Sequence, residues 1–204
     1  MDLLEKLNKK AAGDMALMRE NAYGEHIPVL FEQTERLLDV LVRTKNPKSI
    51  LEIGTAIGFS GILMLKAAEN AHLNTIEFDP ETAETARNNF RRYGVWDRVN
   101  LFEGDAREIV PMLTGEYDFI FMDGPKGQYI EFLPYLKKLL VRGGVMVCDN
   151  VLYKGYVENI PEKRHKHITI ARNLRHFLEA ISDDEELSTV TLNIGDGVSV
   201  SVKK

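Results

Sequence analysis

The chain is short of several things, and each shortage removes a class of answers. It has one cysteine, Cys148. No intrachain disulfide can form, and a reducing cytoplasm is the natural setting. It has no apolar run near the ~18–20 residues that a membrane span requires. The first stretch, MDLLEKLNKK, is charged and amphipathic. It lacks an apolar core and a small-residue cleavage site, so it does not read as a signal peptide. Basic charge is not in excess, since the formal net charge is −5. That excludes bulk attraction to nucleic acid but leaves room for a local basic patch. Internal repeats, low-complexity tracts and linker-like stretches are also missing.

What is present is an alternation of apolar segments. At 204 residues the chain suits one compact α/β domain. Residues 1–45 read as a helical extension, with Leu3, Leu4 and Leu7 on one stripe and Leu37, Leu38, Leu41 and Val42 on another. Pro47 ends that pattern. The core, 46–204, then reads as strand Ser49–Ile53, helix Ser60–Ala68, strand Asn74–Glu77 and a helix from Pro80 to about Tyr93. Strand Val99–Glu103, short helix Ala106–Met112, strand Tyr117–Met122 and helix Tyr129–Leu140 follow. Strand Val145–Cys148, a basic helix at about Ile168–Ile181, and strands Leu187–Ile194 and Val198–Val202 around Gly195-Asp196-Gly197 complete the series. Strand–helix alternation predicts a mainly parallel, doubly wound sheet covered on both faces, with the closing hairpin adding an antiparallel strand at one edge.

In such sheets ligands sit where the strands end. The exits read in turn Glu52-Ile53-Gly54-Thr55-Ala56-Ile57-Gly58-Phe59-Ser60, Glu77-Phe78-Asp79-Pro80, Gly104-Asp105-Ala106, Asp123-Gly124-Pro125-Lys126 and Asp149-Asn150. Each carries an acid. Glu77, 23 residues beyond Gly54, can accept the hydroxyls of a ribose. A nicotinamide-dependent dehydrogenase would use the same acid, but it wants G-x-G-x-x-G for a pyrophosphate. Here the loop is Gly54-x-x-x-Gly58 with Glu52 close by, which suits a cationic ligand better. Asp123, Asp149 and Asn150 end two consecutive strands. Three oxygen donors, two of them anionic, suit a hard divalent cation such as Mg²⁺. Taken singly, Asp149-Asn150 could be a turn and Asp123 a helix cap.

The segments ILEIGTAIGFS, IEFDP, GDA, FIFMDGPKGQY, GGVMVCDNVLYKG and GDGVSVSVKK resemble the catechol and caffeoyl-CoA O-methyltransferase family. Within it they are most similar to the bacterial branch that methylates 5-hydroxyuridine at the tRNA anticodon wobble position. The likeness spans about residues 20–204. It implies a Rossmann-like class I methyltransferase with a seven-stranded sheet that uses S-adenosylmethionine and Mg²⁺ or another divalent cation, and a homodimer in the cytoplasm. It also implies roles. Glu52, Gly54, Thr55, Gly58 and Ser60 line the methionine part of the cofactor, Glu77 and Phe78 hold the ribose side, and Asp105 with Ala106 borders the adenine. Ile27, in HIPVL, closes over the cofactor. Asp123, Asp149 and Asn150 hold the metal, Asp123 also faces the cofactor, and Lys126 is the general base. Gly124-Pro125 departs from the small residues familiar there.

A cation with three protein ligands has room for two oxygens of the acceptor, so the preferred acceptor has adjacent oxygens. A catechol has them, and so does 5-hydroxyuridine. Between residues 154 and 176, Lys154, Lys163, Arg164, Lys166, Arg172 and Arg175 face only Glu158 and Glu162. Lys163, Arg164, Lys166, Arg172 and Arg175 therefore read as a rim for the phosphates of an anticodon stem-loop. Tyr153 and Tyr156 could stack on a base. A solvated helix face or a coenzyme A phosphate site would leave the same charges. His165, His167 and His176 lie here too, but no cysteine supports a zinc reading. A small catechol or phenylpropanoid acceptor, and a non-catalytic binding module, are the competing functions.

Overall fold

The computed structural model describes residues 15–24, 27–160 and 165–204. The expected Leu3–Leu7 stripe, and the candidate phosphate ligands Lys163 and Arg164, lie outside the described residues. The N-terminal extension holds two described helices, α1 (Ala16–Gly24) and α2 (Glu32–Lys45), with residues 27–31 extended between them. This corrects the expectation of helix throughout. Pro28 has no N–H to give a helix and restricts the residue before it. Helix α2 ends on Asn46 in the left-handed region, φ 48°, whose N–H donates to the Val42 carbonyl. Asparagine tolerates that conformation better than most residues.

The core runs β1 (Ser49–Ile53), α3 (Phe59–Ala67), β2 (His72–Glu77), α4 (Pro80–Arg92), β3 (Val99–Glu103), α5 (Ala106–Ile109), β4 (Tyr117–Met122), α6 (Tyr129–Leu139), β5 (Leu140–Asp149), α7 (His165–Asp183), β6 (Leu187–Leu192) and β7 (Val198–Lys203). Strand β5 starts earlier than Val145. Its register against β4 jumps from Tyr117↔Leu140 to Phe119↔Val145, so the Arg142-Gly143-Gly144 stretch bulges inside the strand. The left-handed φ of 71° at Gly143 fits that bulge.

The seven strands lie in the order β3-β2-β1-β4-β5-β7-β6. The four pairings within β1 to β5 are parallel, while β7 is antiparallel to both β5 and β6. The antiparallel strand therefore sits one place in from the edge, not at it. The central strands alternate between two cores. Ile50, Phe119, Phe121 and Val147 pack under α2 and α3, whereas Leu51, Ile53, Ile120, Met122 and Met146 pack under α6 and α7. Burial on both faces explains why these strands are apolar throughout. Strand order reverses between β1 and β4, and a crevice opens beyond their carboxyl ends.

Candidate active site

A cavity of about 440 Å³ fills that crevice. All four of the first strand exits reach it. The β1–α3 turn supplies Gly54, Thr55 and Ser60, the β2 exit Glu77 and Phe78, the β3 exit Asp105 and Ala106, and the β4 exit Asp123. Pro28, Val29 and Leu30, from the extended segment before α2, form another wall. Arg19 holds that wall by donating to the Leu30 carbonyl at 2.8 Å, and is itself paired with buried Glu35. Sequence reasoning placed Ile27 over this cavity. In the structure Ile27 lines a second, smaller cavity of about 210 Å³, together with Leu17, Met18 and Asn89.

The β1–α3 turn is built to pass close to its neighbour. A Cβ on Gly54 would stand 2.5 Å from the Asp123 carbonyl oxygen, and its φ is +100°. Both facts demand glycine. Gly58, φ +85°, lies outside the cavity lining and faces the Phe90 ring, 3.1 Å from where its Cβ would be. Ala56 takes a left-handed φ of 46° without being glycine. Its N–H donates to Glu77 Oε2 at 2.8 Å, while the Asp79 N–H donates to Glu77 Oε1 at 3.0 Å. Glu77 thus ties the first turn to the second and keeps acceptor capacity on each oxygen. Asp79 is spent as the N-cap of α4, accepting from Thr82 N–H at 2.7 Å ahead of Pro80.

Glu52 stands behind the wall and does not line the cavity. It is fully buried, and Ser60 and Thr75 hydroxyls donate to its two oxygens at 2.5 and 2.6 Å. Burial pushes its carboxyl up to about 7, against those two hydrogen bonds. Phe78 is 72% exposed, an aromatic face left open at the rim. Asp105 lines the cavity, but its carboxylate caps α5 and also takes the Arg107 guanidinium, with Nη2 to Oδ2 at 2.5 Å. That hydrogen bonding holds its carboxyl below the usual range.

At the cavity's edge Lys126 Nζ donates to Asp123 Oδ1 at 3.2 Å. Asp149 is 1% exposed and accepts the Asn150 backbone N–H at 2.7 Å. Burial, and then the charge of Asp123, push Asp149 up to about 7. Burial also raises Asp123, opposed by Lys126. Two carboxylates are thus held at neighbouring strand exits with too little positive charge beside them. Among the described residues no group of three or more His, Cys, Asp or Glu side chains is placed to hold a metal. Asn150, the next residue after Asp149, adopts a left-handed φ of 57°.

Two residues that sequence reasoning passed over hold this pair in place. The Tyr129 hydroxyl reaches the Met122 and Asp149 carbonyls at 3.2 and 3.1 Å. It bridges the ends of β4 and β5. Asp196, read only as a hairpin residue, accepts the Lys154 N–H at 2.5 Å, and its carbonyl accepts the Leu152 N–H. The hairpin turn thus supports the loop that follows Asn150. Neither role has a local signal in the sequence, because Tyr129 meets Asp149, and Asp196 meets Lys154, only through the fold.

The basic segment divides. Lys166 and Arg172 are exposed on α7, as are His165 and His176. Arg175 instead turns inward and donates to the Val157 and Glu158 carbonyls, pinning the loop to the helix. Tyr153, Tyr156 and His167 form an aromatic cluster with centroids 5.6–5.8 Å apart, and the Tyr153 hydroxyl lies 2.7 Å from His167 Nδ1.

The sequence model of a family described as O-methyltransferase matches residues 10–204. A protein named catechol O-methyltransferase from Niastella koreensis is 33% identical over 178 residues, covering 83% of this chain and 79% of its own. A Staphylococcus aureus protein provisionally named caffeoyl-CoA O-methyltransferase has a crystal structure that superposes with a TM-score of 0.90 at 31% identity, over 98% of this chain and 97% of that one. The O-methyltransferase TomG of Streptomyces achromogenes, involved in tomaymycin synthesis and crystallised with S-adenosylmethionine, superposes with a TM-score of 0.85 at 25% identity over the whole of both chains.

Proposed function

The chain belongs to the O-methyltransferase family, and from that premise we propose that it transfers a methyl group from S-adenosylmethionine to O5 of 5-hydroxyuridine at a tRNA wobble position. The donor assignment rests on Glu77, a carboxylate at the second strand exit that lines the cavity and keeps acceptor capacity for ribose hydroxyls. Thr55 and Ser60 would receive the methionine end. Ala106 and the open face of Phe78 would flank the base, with the Pro28–Leu30 wall keeping water out. Asp105 borders the base through its backbone and side-chain stem, since its carboxylate is engaged by Arg107.

Asp123, Asp149 and Asn150 would hold a divalent cation. The fit rests on their chemistry: buried Asp149 is raised by burial and then by the charge of Asp123, and half-buried Asp123 is raised by burial against the charge of Lys126. When bound, such a cation supplies Lewis-acid polarisation of an acceptor hydroxyl and favours acceptors with two adjacent oxygens. Lys126 is the base this chain offers. In the present geometry its Nζ donates to Asp123, and it can take the hydroxyl proton only when Nζ is neutral and its lone pair is turned to the acceptor.

The tRNA reading is supported by the exposed Lys166 and Arg172 on α7 and by the aromatic cluster of Tyr153 and Tyr156, in the loop that follows Asp149-Asn150, with His167 of α7. The name of the Niastella relative favours a second reading, O-methylation of a small catechol. Incubating the protein with labelled donor and either tRNA carrying 5-hydroxyuridine or free catechols tests both. Mass spectrometry of tRNA nucleosides should show 5-methoxyuridine. Methylated catechol with no modified tRNA would put the second reading first. The proposal includes a homodimer, which light scattering in solution checks.

A further inference from the structure

Six side chains that line the cavity can hydrogen-bond: Thr55, Ser60, Glu77, Asp105, Asp123 and Gln128. Five of them already have partners. Thr55 lies 2.6 Å from Thr75 Oγ1, Ser60 donates to Glu52, and Glu77 accepts the Ala56 and Asp79 N–H groups. Asp105 is taken by Arg107, and Asp123 accepts from Lys126. The Gln128 amide has no partner among the described residues, and its Oε1 is buried. A buried amide carbonyl left unpaired costs stability, and such groups are few in folded chains. A molecule bound in the cavity would supply the missing partner.

The backbone beneath this side chain is fixed. Lys126–Gln128 form a 3₁₀ turn between β4 and α6, closed by the Gln128 N–H on the Pro125 carbonyl at 2.8 Å. Asn173 of α7 donates to the Gly127 carbonyl at 2.7 Å, and fully buried Tyr129 follows. The terminal torsion of a glutamine is broad, so the amide can present either end to the cavity without moving the chain. The fold also sets which part of the cavity it meets. Ala106 and Val110, which follow the β3 exit, share a core with Tyr129, Phe132 and Leu133 of α6. The charge of Glu131, in the first turn of α6, reaches Arg107, the guanidinium that engages Asp105. With the Asp105 carboxylate occupied, Gln128 offers the free side-chain acceptor on that side.

An amide has an acceptor beside a pair of donors. The amino edge of adenine is its complement, an N–H donor beside a ring-nitrogen acceptor, and glutamine reads adenine by that match in the major groove of DNA. We infer that Gln128 accepts from the 6-amino group of the donor's adenine and selects an aminopurine over other purines. This rests on the cavity being the S-adenosylmethionine site, with the base at the β3 exit.

A double-mutant cycle tests this by titration calorimetry with two ligands. One is S-adenosylhomocysteine, and the other is its analogue with hydrogen in place of the 6-amino group. In the wild type, loss of the amine should weaken binding about three- to tenfold, the range for one neutral hydrogen bond. Gln128→Met is close in length but has no amide, and should bind the two ligands alike within about twofold. Gln128→Glu restores an acceptor and should restore the preference for the amine. Failure of the wild type to bind either ligand would overturn the donor-site reading itself. Equal binding of both by the wild type would overturn the role of Gln128 and leave the donor site standing. A preference undiminished in Gln128→Met would assign the amine to another group and overturn the inference. If that variant does not fold, a preference retained in Gln128→Ala overturns it and a lost one bears it out.

Discussion

Replacing Glu77 with alanine puts the donor site under direct load. The carboxylate has two jobs. On the proposed reading it offers charge-assisted acceptors to a ribose, and it already accepts the Ala56 and Asp79 N–H groups at 2.8 and 3.0 Å. Losing the ribose contacts should weaken donor binding by about 1.5–3 kcal/mol, the range for hydrogen bonds to a charged group. That is roughly a tenfold to 150-fold rise in Kd. The second job adds a stability cost. Ala56 is held at φ 46° in a turn that the Glu77 bond helps to fix. Loss of two partly exposed backbone bonds should cost about 1–2 kcal/mol, or a fall in Tm of roughly 2–8 °C for a chain of this size. Titration calorimetry with S-adenosylhomocysteine reads the first effect and a thermal melt reads the second. Glu77→Gln should fall between, since one amide end would present an N–H to a backbone N–H. A Kd unchanged within twofold in the alanine variant would show that the second strand exit does not hold the ribose.

Three further outcomes follow from the same geometry. Asp149→Ala should abolish turnover while leaving donor binding within about threefold, since it replaces a group outside the cavity lining; full activity of the wild type in excess EDTA would remove the metal from the scheme. Gly54→Ala should lower stability by at least ~1–3 kcal/mol, because its Cβ would stand 2.5 Å from the Asp123 carbonyl at a left-handed φ; a melt matching the wild type would refute the described turn. Lys166→Ala/Arg172→Ala should reduce activity on tRNA far more than on a catechol and make its log–log salt dependence shallower by roughly 0.7–0.9 per lost contact, whereas Arg175→Ala, which frees the Val157 and Glu158 carbonyls, should impair both substrates alike. Equal losses from the double variant on both substrates would refute the phosphate rim.

Much of the site was legible because it lies at strand exits, and strand exits follow from apolar periodicity. Strands Ser49–Ile53, Val99–Glu103 and Tyr117–Met122 lie where the pattern predicts them, so Gly54, Asp105 and Asp123 come to the same crevice. The roles were less legible than the places. Asp105 sits at the right exit, yet Arg107 two residues on takes its carboxylate. Arg175 carries the expected charge, yet a helix residue that faces a loop serves the loop. Glu52 belongs to the signature, yet its strand face points it under the turn and away from the cavity.

The sequence alone determined the order of the elements, the two-faced sheet and the positions of the acids, because side-chain polarity repeats with the period of each element and breaks at its ends. Tertiary structure decided everything that depends on which segments meet. Placing β7 between β5 and β6 brings Asp196 to the loop after Asn150. Packing α6 against the sheet brings the Tyr129 hydroxyl between two strand ends. Burial turned Glu52 and Asp149 from ordinary carboxylates into groups raised to about 7. A pKa is set by the dielectric and charges around a side chain, and those come from residues distant in the chain.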